Sequence, residues 1–469
     1  MTRTINAAGR LDRLPISRFH WKILGLIAGG AFLDAFDIYL ANGAVASMVK
    51  EGFTDLRHGA IFVSSTFIGM MIGAFAAGYL GDRLGRRYSY QLNLAVFGLA
   101  SLAACFAPSI EWLIVLRLVM GIGLGAELVV AAGTLAEFVP PATRGKWVSL
   151  LAVITNSGLF AALAAGYWII PHLGWRYMFA LAGIGALVVW FLRKRMPESP
   201  RWLESVGRLD EAEATLASIE QQVRAQHGEL PPVERAVSLN VGKVPISRLF
   251  APDMRARLLV AALTAIGVNV GLYGFVAWLP TFFVAEGLSV VKSLGFVFFM
   301  SIGSPVGGLI GYVVADRWGR ARSIVVASLI SIALGWIYVT LRDATAIVVV
   351  GFGLVSALYT ITTLGLFGYI PELFPTEVRL RGTGVAGTAG RASSIVTPYL
   401  ALLLYQRFGV SGVISMVSLV LAVLAVLCVA IAVLRVETSR QALEDIAPGD
   451  AADGSAAQAA AVAGAADGR

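Results

Sequence analysis

Charge is scarce in this chain: 14% of its 469 residues are Asp, Glu, Lys or Arg, against about 25% in a soluble domain. With 57% hydrophobic residues and a mean hydropathy of +0.77, that shortage excludes a soluble enzyme or a solvated binding module. The only cysteines, Cys105 and Cys428, lie in separate apolar runs, so neither a disulfide framework nor a metal cluster is indicated. The four histidines form no metal-ligand pair and no H-E-x-x-H occurs. No cofactor, metal site or intramembrane enzyme is therefore expected. The first twenty residues carry Arg3, Arg10, Arg13 and Arg18 without an apolar run of their own, so no cleavable leader is expected.

What the chain has in quantity is apolar runs of about 20 residues, each long enough to cross a bilayer as a helix. They fall near 21–45, 59–80, 88–107, 111–136, 146–170, 176–192, 257–284, 293–314, 323–341, 346–369, 383–405 and 410–434. The expected fold is an all-α membrane protein of about twelve transmembrane helices in two six-helix bundles. The net charge of +8 could suggest nucleic acid, but the basic residues sit between apolar runs, as orientation in an anionic membrane requires. If the amino terminus is inside, the inner loops hold Arg83, Arg86, Arg87, Arg144, Lys146, Arg317, Arg320, Arg322, Arg379 and Arg381. The outer loops hold only Lys50, Arg57, Arg176, Lys292, Arg342 and Arg407. Both termini are then cytoplasmic, in a multi-pass inner-membrane protein.

The domains expected are a cytoplasmic tail (1–20), a first bundle (21–192), a polar central loop (193–256), a second bundle (257–434) and a disordered tail (435–469). Within the loop, Ser199 and Pro200 offer an N-cap and a first helical position. Leu203, Val206, Leu209, Leu216 and Ile219 then recur near helical spacing, predicting an amphipathic helix along the inner face.

The halves repeat each other. GYLGDRLGRR (78–87) follows the second run and GYVVADRWGR (311–320) the eighth. Glu137 with Arg144 follows the fourth run, and Glu372 with Arg379 the tenth. Two motifs related by one shift of half the chain indicate duplication of a six-helix unit.

These residues resemble the major facilitator superfamily of secondary transporters, whose loop motif G-x-x-x-D-R-x-G-R-R is matched by Gly78, Asp82, Arg83, Gly85, Arg86 and Arg87. The resemblance implies two bundles related by pseudo-two-fold symmetry around a midplane site. It also implies a gating role for these residues and for Glu137, Arg144, Asp316, Arg317, Arg320, Glu372 and Arg379, as latches on the cytoplasmic side. PESPRWL (197–203), and Arg117 with Gly121, Gly123 and Gly125, look like the sugar-porter and organic-ion branch. The paired glutamine usual in the seventh helix of hexose porters is absent. DAFD (34–37) resembles the D-G-x-D of aromatic-acid/proton symporters, and GTAGRASSIVTP (387–398) the helix-11 arginine segment of nicotinate-type transporters.

Charges inside the apolar runs carry the functional reading, because each costs about 2.5–3.5 kcal/mol at the centre of a membrane helix. Asp34 and Asp37 share a helix face near mid-bilayer. Two carboxylates this close in low dielectric do not ionise independently, so one is expected to exchange a proton while Arg117 holds the other. A purely structural ion pair is the alternative. Glu127, deeper on the same run as Arg117, is either a further proton-coupling acid or a protonated hydrogen-bonding group. Arg391 has no acid on the second half's runs to pair with, which points to a ligand carboxylate; a bond to a neighbouring carbonyl is the alternative. Asn156, Asn269, Tyr273, Trp278 and Tyr359 are candidates for lining the cavity, or else helix-packing residues.

The expected function is proton-coupled uptake of a small organic anion, most plausibly an aromatic or heteroaromatic carboxylate, by a monomer that partners its substrate, protons and the lipid bilayer. A proton symporter for a sugar or polyol is the alternative. A drug exporter or a transporter-like sensor fits less well.

Overall fold

The computed structural model describes residues 5–84, 86–233, 246–374 and 378–433, and among these there is no strand. Helix is what the composition demands, since backbone polar groups in a bilayer find partners only within the chain. The first half holds α2 (Arg18–Lys50), α3 (Leu56–Leu84), α4 (Arg86–Ala104), α5 (Ile110–Phe138), α6 (Pro141–Leu173) and α7 (Arg176–Arg193), after a short α1 (Ala7–Asp12). Two polar helices follow, α8 (Pro200–Ser205) and α9 (Leu209–His227).

The second half is less regular. Its first crossing runs from α10 (Pro252–Val270) through a π-helical turn (Gly271–Phe275) and a 3-10 turn (Val276–Trp278) into α11 (Leu279–Ala285). Then come α12 (Val290–Ser301) with α13 (Gly303–Trp318), and α14 (Arg320–Thr340). The tenth crossing, α15 (Ala344–Thr362), passes through a second π-helical turn (Thr363–Tyr369) into α16 (Ile370–Glu372). Finally α17 (Arg379–Val433) supplies two crossings, broken at Gly409, whose φ of +62° is one that glycine tolerates best. Eight stretches among the described residues are long and apolar enough to span, the last with room for two legs. With α3, α4 and α5 they make the twelve crossings expected.

Small residues lock the helices in each half. A side chain at Gly69 or Gly73 on α3 would run into the carbonyls of Leu118 or Ile122 on α5, and one at Gly121 or Gly125 into those of Thr66 or Met70. Gly303 and Gly307 on α13 face α15 in the same way, at the shift that carries Asp82 onto Asp316. The duplication read in the loops is thus repeated inside the bundle, where close backbone approach replaces a hydrophobic drive between helices.

The end of the molecule carrying α1, α8 and α9, here termed the capped end, differs from expectation in two respects. The amphipathic pattern folds as two helices, not one, because Gly207 turns the chain at φ +81° between them. Leu203, Leu216 and Ile219 are buried, but Val206 at the turn is exposed. The segment assigned to a tail is packed: Ile5, Ala7, Leu11 and Leu14 share a core with Trp202, Leu203 and Val223. The Glu204 carboxylate accepts from the backbone N–H groups of Ile5, Asn6 and Ala7, each at 2.9 Å. Arg10 and Arg13 donate to Glu220; burial alone would raise that carboxyl, but these bonds outweigh it and hold it below its ordinary range. Ser199 caps α8 by accepting from Trp202 N–H, with Pro200 at the first helical position.

Charge bias predicts that the capped end lies inside. In a background lacking Cys105 and Cys428, a cysteine at Gly228 is expected to react with an impermeant maleimide only from the inside, and one at Ala344 only from the outside. Labelling of both from outside would overturn this sidedness.

Candidate functional site

The buried charges form two ion pairs with a third acid between them. Arg117 on α5 reaches across to α2, where one guanidinium nitrogen donates to the Asp37 carboxylate and the other to the Asp37 carbonyl at 2.9 Å. The guanidinium also lies 5.4 Å from the Phe62 ring centroid. Both partners are buried, so the pair clamps α2 to α5.

The second pair was not legible in the sequence. The run ending at residue 192 makes Arg193 read as the first basic residue of the loop. Instead it turns inward and donates to Glu127 at 2.5 Å, to the Leu26 carbonyl at 2.7 Å and to the Ile27 carbonyl at 3.0 Å. Its guanidinium lies 4.6 Å from the Tyr90 ring centroid. Glu127, read from the sequence as either a proton-coupling acid or a protonated hydrogen-bonding group, is thus ion-paired. A side chain at Gly30 on α2 would strike both Arg193 and Glu127, so glycine there is what lets α2 approach the pair. No periodicity signals this arrangement, because a basic residue at a helix end ordinarily faces water.

Asp34 sits between the pairs, one helical turn beyond Gly30 and one before Asp37. It is 1% exposed, its Oδ2 has no hydrogen-bond partner, and it lies within the fields of Glu127, Arg193 and Asp37. Proton exchange was expected at one member of the aspartate pair. The geometry separates them, since Asp37 is held by a guanidinium and Asp34 is not.

Arg391 belongs to the first leg of α17. On its face, Ile395 presents a carbonyl that accepts from Ser64 of the first half at 3.0 Å, so this face looks across at the other bundle. Toward the capped end, Gly387 and Gly384 on the same side have nothing within 4 Å of where a side chain would begin. Among the described residues, open space therefore adjoins this face at Gly384 and Gly387, and the halves touch at Ile395. Arg391, one turn before that contact, is half-buried, beside Tyr273, and no ion pair or hydrogen bond engages it among the described residues.

Aromatic rings of the two halves meet around Tyr273 and Tyr39. Tyr273, in the π-helical turn of the seventh crossing, lies 4.5 Å from Phe67 and stacks at 6.2 Å on Tyr39. Tyr359, just before the π-helical turn of the tenth, donates to the Tyr39 hydroxyl at 2.8 Å. Tyr39 and Phe67 come from the first half and were not foreseen, since aromatic residues in a fully apolar run do not reveal which face they occupy. Tyr39 did have one signal: it stands two residues from Asp37.

The other candidates are engaged elsewhere. Asn156 bridges the halves, its side-chain amide donating to Thr363 Oγ1 at 3.4 Å while its backbone carbonyl accepts from the Ser304 hydroxyl at 3.3 Å. Asn269 donates to the Ala265 carbonyl at 2.7 Å and accepts from Ser394 at 2.8 Å, tying α10 to α17. Trp278 is buried toward the end opposite the cap and stacks on Phe282.

Of the gating residues, the side chains of Gly78, Asp82, Arg83, Gly85, Arg86, Asp316, Arg317 and Arg379 lie outside the described ones. Arg320 forms an ion pair with Glu372, so the two motifs of the second half meet each other. In the first half Arg87 donates to the Lys194 carbonyl at 2.8 Å, and Arg201 donates to the Glu137 carbonyl at 2.9 Å. Asp12 of the docked α1 pairs with Arg201 at 2.5 Å and approaches Arg144 at 3.7 Å.

Chemically, the described residues offer one guanidinium without an ion-pair partner beside an aromatic ring of the second half, and one buried carboxyl, Asp34, without one in the first. A family profile described as Sugar (and other) transporter matches residues 23–449. The inner membrane metabolite transport protein YdjE of Escherichia coli strain K12 is 37% identical over 405 residues, 85% of this chain and 90% of the relative. The niacin transporter NiaP of Acinetobacter baylyi is 30% identical over 446 residues, 94% of this chain and all of the relative. Among solved structures, the proton:xylose symporter XylE bound to 6-bromo-6-deoxy-D-glucose shares the fold with a TM-score of 0.70 at 20% identity. That match covers 92% of this chain and 98% of the other.

Proposed function

The chain belongs to the sugar (and other) transporter family of the major facilitator superfamily, and on that premise we propose that it carries a small aromatic or heteroaromatic carboxylate inward together with a proton. The observation that carries this reading is Arg391, a half-buried guanidinium beside Tyr273 with no ion-pair or hydrogen-bond partner among the described residues. Burying such a charge is costly, and a planar carboxylate matches its fork in bidentate fashion. Tyr273 beside it supplies a face for a ring. The niacin transporter among the relatives supports the class, because niacin is a pyridine carboxylic acid.

Counting charges supports proton coupling. Asp34, Asp37 and Glu127 balance Arg117, Arg193 and the half-buried Arg391, so these six charges sum to zero when all are ionised. An arriving monoanion makes the set negative by one, and a proton on Asp34 restores neutrality where charge separation is expensive. Asp34 is favoured over Asp37 as carrier because Arg117 already neutralises Asp37. A sugar or polyol is the second reading, favoured by the fold shared with a xylose symporter. It leaves Arg391 without a charge to meet.

The experiment is to compare accumulation with exchange in proteoliposomes. Asp34→Asn is expected to exchange internal for external substrate while failing to concentrate it under an imposed proton gradient, because exchange needs no net proton movement. Asp37→Asn is expected to impair both, since it loosens α2 from α5. Concentrative uptake by Asp34→Asn at the wild-type level would remove Asp34 as the carrier.

A further inference from the structure

A separate cavity of about 390 Å³ opens at the capped end, between the first turns of α2, the start of α4, the end of α7 and one face of α9. Lys22, Arg87, Lys194 and Arg195 line it, together with the hydroxyl-bearing Thr215 and Ser218 of α9, and no carboxylate does. Lys22 and Arg195 are exposed, and no ion pair engages either among the described residues. Lys194 places its ammonium 3.9 Å from the Trp190 ring. Glu198, the acid nearby in sequence, is turned to the backbone N–H groups of Arg87 and Ser199. The lining itself is therefore cationic, and it includes hydroxyls that can add to an oxyanion's shell.

Its position identifies the anion. The last turns of α7 expose Val188, Phe191 and Leu192, and α2 exposes Trp21 beside Lys22. Such apolar and aromatic surface ending in cations marks the level where helices leave the hydrocarbon for the headgroups. The same helix end sends Arg193 inward to Glu127 and turns Lys194 and Arg195 toward the cavity.

We propose that this cavity binds the phosphate headgroup of an anionic phospholipid, with the acyl chains lying along the exposed face of α7. Because α9 forms one wall, an occupant joins the polar cap to the membrane bundle and stabilises their docking.

The test is thermal unfolding of the purified full-length protein in detergent, followed by tryptophan fluorescence. Three probes are compared: dioctanoylphosphatidylglycerol, dioctanoylphosphatidylcholine and glycerol 3-phosphate. Phosphatidylglycerol is expected to raise Tm by about 2 °C or more, as binding to the folded state requires, while phosphatidylcholine leaves it unchanged. In Lys22→Gln with Arg195→Gln the shift should fall by more than half. The lipid-free Tm should match wild type, because both side chains are exposed and unpaired. Native mass spectrometry should show one fewer retained phosphatidylglycerol in the variant. Equal shifts from both lipids, or a full shift in the variant, would overturn the site. A full shift from glycerol 3-phosphate alone would overturn the lipid as its source.

Discussion

Arg391→Met is expected to move binding and stability in opposite directions. Losing the guanidinium removes charge-assisted hydrogen bonds worth about 1.5–3 kcal/mol, so a carboxylate such as nicotinate should bind roughly 10–150-fold more weakly. Nicotinamide, which has no charge to be recognised, should lose little. Meanwhile Tm without ligand should rise, because an unpaired cation leaves a half-buried site and an apolar side chain of similar length replaces it. Arg391→Lys keeps the charge without the fork and should fall between the two. A packing role makes a different forecast: affinities for acid and amide drop together and Tm falls. Isothermal titration and thermal unfolding on the same detergent-purified samples separate the two cases.

Arg193→Met is expected to be the most destabilising single change among the buried charges. It strands Glu127 in the bundle and takes donors from the Leu26 and Ile27 carbonyls. Breaking a buried pair from one side costs about 3–5 kcal/mol. Adding Glu127→Leu should recover much of the loss, since replacing both partners by apolar groups removes the uncompensated charge. A double-mutant cycle from thermal unfolding gives the coupling. Wild-type stability of Arg193→Met would show that the pair contributes nothing. Transport by the double variant adds a separate answer: if it exchanges substrate but no longer accumulates it, Glu127 serves the proton route as well as the fold.

The clamp from Arg117 to Asp37 shows how far a sequence can carry a site. Both residues announce themselves because charges are so rare in apolar runs, and helical rise alone sets their depths close enough to meet. Arg391 is legible for the same reason, and its lack of an acidic partner can be read by inspecting the second half. Arg193 is not legible, because a basic residue ending an apolar run looks like any positive-inside flank. Only packing shows that it turns inward.

Composition and the repeated loop motifs by themselves determined a helical, twelve-crossing chain of two repeated halves, because the bilayer admits so few backbone solutions that apolar length and duplication suffice; that the chain is a transporter came from the resemblance those motifs carry. They also named the rare buried charges. Tertiary structure alone decided that Arg117 holds Asp37 and Arg193 holds Glu127, leaving Asp34 without a guanidinium. It alone brought Tyr39 and Phe67 against Tyr273, put the π-helical turns under Tyr273 and beside Tyr359, and docked α1 on the cap. Each of these depends on the rotation of one helix against another. Where every face of a helix is apolar, no periodicity in the sequence encodes that rotation; it is set by close contacts such as Gly30 against Arg193, which exist only once the bundle has packed.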